Sequence, residues 1–110
     1  MREIYALRTS NPGILTSREM LSIVKSSMVM PKEEHNNLLR KLLPAIAKRK
    51  AKYHIGVRVY GSGSLCGAPK VDILSMIEQS GATVVGDDLF HGYRYVSTDI
   101  NEDQDPLKAI

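Results

Sequence analysis

What most limits the fold of this chain is a strand, loop, helix, strand pattern in its second half. Ile55, Val57 and Val59 alternate with smaller or polar residues, the period-two signature of a strand. Residues 61–69, GSGSLCGAP, follow as a glycine-rich loop, with Pro69 suited to the first helical position. Val71, Ile73, Leu74, Ile77 and Glu78 then carry a helix, and Gly81 is placed to cap its end. Residues 82–86, ATVVG, read as a second, buried strand. Strand, helix and strand of these lengths predict a right-handed parallel unit.

The first half reads differently. Residues 2–7 form a short helix that stops before the turn signal Asn11-Pro12-Gly13. Thr16 to Glu19 match a capping box, and Met20, Leu21, Ile23 and Val24 give the next helix an apolar face. Pro31 opens a third helix with Glu33 and Glu34 in its first turn, where the helix dipole favours them. Leu38, Leu39, Leu42, Leu43 and Ile46 continue it, and Pro44 predicts a kink or break. The expected fold is therefore α/β: a helical segment over 1–52, then a Rossmann-like βαβ unit with parallel strands over 53–110. Asp105-Pro106 starts another helix near the last residue. That feature, with a sheet of only two parallel strands, suggests an incomplete domain.

Composition narrows the function classes. The chain has 43% apolar and 25% charged residues, ordinary for a globular protein. It lacks a run near the ~18 apolar residues of a membrane span. MREIYALRTS has no apolar signal core, which points to a cytoplasmic protein without a membrane partner. One cysteine allows no internal disulfide, and alone it cannot hold a structural zinc or an iron–sulfur cluster. The net charge of +3 has a local source in Lys48, Arg49, Lys50 and Lys52. With few aromatic residues nearby, this reads as a solvated helix end and not as a nucleic-acid site.

Two stretches carry chemistry. Gly61, Ser62, Gly63 and Ser64 lie at the carboxyl edge of the expected sheet, where open α/β sheets bind ligands. The spacing Gly61, Gly63, Gly67 is one residue longer than the dinucleotide fingerprint, although Asp87-Asp88 stands at the right distance for its acidic member. Pro69 also removes an N–H where a pyrophosphate would bind. A small nucleotide-binding or interaction module remains the alternative function. Cys66, in the same loop, is a minor candidate for metal or nucleophile chemistry, with His91 as a possible base. The second stretch, Asp87 to Tyr95, holds Asp87, Asp88, His91 and Arg94 at the end of the second strand. Asp and Arg this close can pair to fix the loop, or can line an anionic ligand.

These residues bear a resemblance. VDILSMIEQSGATVVGDDLFHGYRY, with the later DQDPLKAI, resembles the D-component subunits of the 2-hydroxyacyl-CoA dehydratases and the related benzoyl-CoA reductases. The shared features are a Glu-x-x-Gly-Ala turn, a Val-Val strand, an Asp-Asp-Leu corner, a Gly-x-Arg-Tyr continuation and an Asp-Pro. YALRTSNPGILTSREMLSIV and MPKEEHNNLLRKLL resemble the family's earlier helices. The resemblance spans nearly the whole chain, and the Asp-Asp-Leu corner is its most specific part. Phe90 stands where the family often has Cys.

The resemblance implies a part of a larger subunit with two Rossmann-like lobes around a four-iron four-sulfur cluster. It implies a sister subunit in a heterodimer, an ATP-dependent activator protein and an acyl-CoA substrate. The implied reaction is radical elimination of water from a 2-hydroxyacyl-CoA, or aromatic-ring reduction in the reductases. No cluster ligand carries over to this stretch, so the chain alone is expected to hold no cluster and to be inactive. An open two-strand edge would favour self-association.

Overall fold

The structure, a computed structural model, describes residues 1–51, 56–63, 71–101, 103 and 105–109, with the backbone alone at 71, 72, 106 and 109. Three helices come first: α1 (Arg2–Ser10), α2 (Ser17–Val29) and α3 (Lys32–Ala47). A βαβ unit follows, made of β1 (Arg58–Gly61), α4 (Val71–Gln79) and β2 (Thr83–Asp87). A single 3₁₀ turn (Tyr93–Val96) and the short α5 (Pro106–Ala109) follow it.

The local signals act as read. Thr16 Oγ1 accepts from the Glu19 N–H at 3.1 Å, and Glu19 Oε2 accepts from the Thr16 N–H at 2.9 Å, completing the capping box. Asp105 Oδ1 accepts from the Leu107 N–H at 3.0 Å and caps α5. Helix α1 runs one turn beyond Leu7 before the chain turns at Gly13, whose φ is 83°. Pro44 does not end α3, which continues to Ala47. Only one turn remains after it, so the missing N–H costs the helix little, and buried Ile46 holds that turn in the core.

The strands pair in parallel, with Arg58 opposite Thr83 and Gly61 opposite Asp87. The register slips between Val59 and Tyr60, so Tyr60 pairs with Gly86 and Val85 is left over as a bulge. Thr83, Val84 and Gly86 of β2 are buried, whereas β1 is exposed or half-buried. Both α1 and α4 pack on β2, and α2 packs on α3 and α4. Thr9 of α1 donates to the Val85 carbonyl at 3.2 Å, so the bulged residue is used to tie the helix to the strand.

The core joins the first three helices to the segment after β2. Ile4, Tyr5, Ile14, Leu15, Met20, Val24 and Ile46 form its centre, with Tyr93 and Val96 against it. Each such buried aliphatic side chain contributes about 1.5–3 kcal/mol. Tyr5 and Tyr93 meet edge to face at 5.1 Å and bring the 3₁₀ turn onto α1. The helix packing thereby fixes the loop that carries Asp88, His91 and Arg94.

Candidate functional site

At the carboxyl ends of β1 and β2 the chain places Gly61, Ser62 and Gly63 beside Asp87, Asp88, His91 and Arg94. Ser64 and Cys66, and with them the Cys66–His91 pairing, lie outside the described residues. The Asp88 N–H donates to the Gly61 carbonyl at 2.9 Å, so the two strand ends are stitched together.

The paired carboxylates have opposite surroundings, because successive residues of a strand face opposite sides. Asp87 points inward. Its Oδ1 accepts from the Tyr93 N–H at 3.2 Å. Burial raises its pKa above the ordinary value, although the Tyr93 N–H and the Arg8 cation oppose the shift. Asp88 points outward and accepts from the Gly63 N–H at 3.3 Å and from Arg94 Nη2 at 3.3 Å. Slight desolvation works against its ionisation, but hydrogen bonds from Ser62, Gly63 and Arg94 outweigh it and hold its pKa below the ordinary value. Arg94 thus pairs with Asp88, and the bond fixes the loop while both groups stay accessible.

This geometry bears on the phosphate-cradle reading. The Gly63 N–H, which would have to face a phosphate, is already held by a carboxylate. A phosphate would have to displace the Asp88 carboxylate to take that N–H.

Beneath this edge lies a feature that the sequence reading missed. Arg8 is 1% exposed, and its Nη2 donates to Ser17 Oγ at 2.9 Å. Ser17 passes the interaction on, its Oγ and its N–H both reaching Glu78 Oε1 at 2.8 Å. Glu78 of α4 therefore places a carboxylate on the first turn of α2, where free N–H groups and the helix dipole favour an anion. Burial lowers the Arg8 pKa, while the Asp87 and Glu78 carboxylates act the other way. Burial, assisted by Asp87, pushes the Tyr5 hydroxyl well above its usual range. Tyr5 Oη, Arg8 Nε and His91 Nδ1 are buried without a hydrogen-bond partner. Each such group costs about 1–3 kcal/mol unless something satisfies it. All three residues line one cavity of about 40 Å³, which also touches Ser17 and Asp87. A signal for it was present in the sequence: Ile4 and Arg8 are four apart and so share a helix face with Tyr5.

The family model for the 2-hydroxyglutaryl-CoA dehydratase D-component matches residues 1–110, the whole chain. The chain belongs to that family. It is 30% identical over its full length to a subunit of the benzoyl-CoA reductase of Thauera aromatica, covering 28% of that protein. It is 31% identical over the same span to the (R)-phenyllactyl-CoA dehydratase beta subunit of Clostridium sporogenes, covering 29%. The chain thus spans less than a third of the length of these curated relatives. No solved structure gives a significant match. The family match and the mixed α/β fold agree with the resemblance drawn from the sequence.

The iron–sulfur cluster implied by that resemblance can be tested against the residues present. A four-iron cluster takes about four thiolate ligands. The chain has one cysteine, and among the described residues no three His, Cys, Asp or Glu side chains are grouped to hold a metal. These residues do not fit the cluster. Among the described residues, no helix is long and apolar enough to cross a membrane.

Proposed function

We propose that this chain forms part of a subunit that transforms a CoA thioester, either dehydrating a 2-hydroxyacyl-CoA or reducing an aromatic acyl-CoA. The observation that carries this reading is the family match over all 110 residues, shared by relatives named for each of these chemistries. Both relatives are named as subunits, which supports assembly with a sister subunit. In this reading residues 1–52 are a helical linker and 53–110 open a Rossmann-like lobe. The longer subunit would hold a cluster on cysteines elsewhere in its sequence and receive electrons from an ATP-dependent activator, in a cytoplasmic enzyme.

The carboxyl edge of β1 and β2 would face the ligand. Asp88 and Arg94 are accessible there, with Arg94 as the group for an anionic part of the thioester and Asp88 as its positioning partner. Gly61, Ser62 and Gly63 form the adjoining wall, and Asp87 holds the turn that carries His91 and Arg94. Anaerobic assay of the full-length subunit with its sister and activator tests the proposal. Turnover of a 2-hydroxyacyl-CoA or of benzoyl-CoA supports it, and identifies the branch. No turnover of either by an assembled, cluster-loaded complex overturns it.

A further inference from the structure

Buried charges are normally paired, yet among the described residues Arg8 is bonded only to a neutral hydroxyl, Ser17 Oγ. Among the described residues no carboxylate reaches its guanidinium as an ion pair. Asp87 lines the same cavity, and one of its oxygens is engaged by the Tyr93 N–H. Glu78 meets the cation only through Ser17. The Nε–H of Arg8, 1% exposed, and the hydroxyl of Tyr5, 4% exposed, are both left without a partner beside the same cavity. His91 Nδ1, the third unpartnered atom, lines that cavity from the turn after β2. Two of these atoms can donate in every accessible state, and the imidazole nitrogen can donate in one tautomer or when protonated. The Asp87 carboxylate also lines the cavity, but none of these three atoms is hydrogen-bonded to it, so they face a space that an acceptor can fill.

The volume sets the size of that acceptor. About 40 Å³ is room for roughly three water molecules. A carboxylate group fits; a phosphate ester with its alcohol does not. Much of the remaining lining is apolar, from Met20, Leu21 and Val24. Apolar walls favour a compact anion over a hydrated one.

We infer that the cavity bounded by Arg8, Tyr5 and His91 binds a carboxylate-sized oxyanion. The Arg8 Nε–H and the Tyr5 O–H donate to its oxygens, and His91 closes the outer end. The site does not depend on which CoA thioester the longer protein uses, or on whether it uses one. The anion can be a free ion or the carboxylate end of a longer acid entering from the strand ends.

The test is a titration of the full chain with formate and with butyrate, using chloride at equal ionic strength as the control. The readout is the Arg8 Nε–H resonance, which reports this site and no catalytic activity. Formate, a ligand of three non-hydrogen atoms, binds no tighter than about millimolar, so its saturation in the millimolar range is expected. Tyr5→Phe keeps the ring against Tyr93 and removes one donor, and should weaken formate roughly tenfold. Saturation by formate with butyrate excluded supports the site as one for a free ion. Equal or tighter butyrate binding supports it as one for the end of a longer acid. A resonance unmoved by either acid up to about 100 mM, or moved equally by chloride, overturns the inference. An unchanged formate affinity in a folded Tyr5→Phe variant also overturns it, and the wild-type titration decides alone if that variant misfolds.

Discussion

Asp87 and Gly92 share one space: a Cβ built on Gly92 would fall 1.5 Å from Asp87 Oδ1. Gly92 is absent from left-handed backbone space, so its need for a bare backbone comes from this carboxylate alone. The inward acid of the Asp-Asp pair therefore works as a clamp on the turn that carries Tyr93 and Arg94. Gly92→Ala should push the carboxylate off the Tyr93 N–H and destabilise the fold by about 1–3 kcal/mol. Urea unfolding of the two proteins measures this, and an unchanged midpoint would deny the clamp.

Asp87 also gives a signed pH dependence. Its folded pKa lies above the ordinary 3.8, so between these values the folded state holds more protons than the unfolded state. Its contribution to stability therefore falls as pH rises across that window. Asp88 has the opposite sign: its contribution is present above 3.8 and is lost as pH falls through its lowered folded pKa. Asp87→Asn should remove the first component and leave the second. Denaturation midpoints at a series of pH values, in both proteins, separate them.

Ser17 connects Arg8 to Glu78, and so the first helix to the βαβ unit. Ser17→Ala leaves a buried guanidinium nitrogen without its acceptor and should cost about 1–3 kcal/mol. Paired with Glu78→Gln in a double-mutant cycle, it should show a coupling of about 0.5–3 kcal/mol. Strict additivity would mean that the three side chains are neighbours without being a network.

Gly56 is confined by backbone, since a Cβ there would sit 1.9 Å from the Gly81 carbonyl oxygen. That obstacle is backbone, and Gly81 itself has a φ of 89°. Gly56→Ala should cost about 3 kcal/mol or more, read as a lowered thermal midpoint. A near-neutral result would show that β1 approaches the α4–β2 turn less closely.

The features legible in the sequence are those written over a few neighbouring residues. The Thr16–Glu19 capping box, the apolar spacing of α2 and α3 and the parallel pair around Val59 and Val84 all belong to this kind. Pro44 does not break its helix: propensity rules weigh the lost N–H but not the burial of Ile46, two residues on. Arg8 was only half legible: its spacing puts it on the face of Ile4 and Tyr5, but a cation in a helix normally faces solvent. Its burial depends on Ser17 and Glu78, the latter 61 positions beyond Ser17. The separate fates of Asp87 and Asp88 follow from strand alternation, but which one faces in is set by the packing of α1 and Tyr93.

The most direct test of the account concerns the exposed Asp88–Arg94 pair at the strand ends. In the full-length subunit assembled with its sister, the affinity for the CoA thioester that it turns over should be compared with that of Arg94→Met. If the carboxyl edge is the ligand-facing end, the variant should assemble normally and bind about tenfold or more weakly, the loss of one charge-assisted hydrogen bond. Undiminished affinity in a normally assembled variant would contradict the placement of the ligand at this edge.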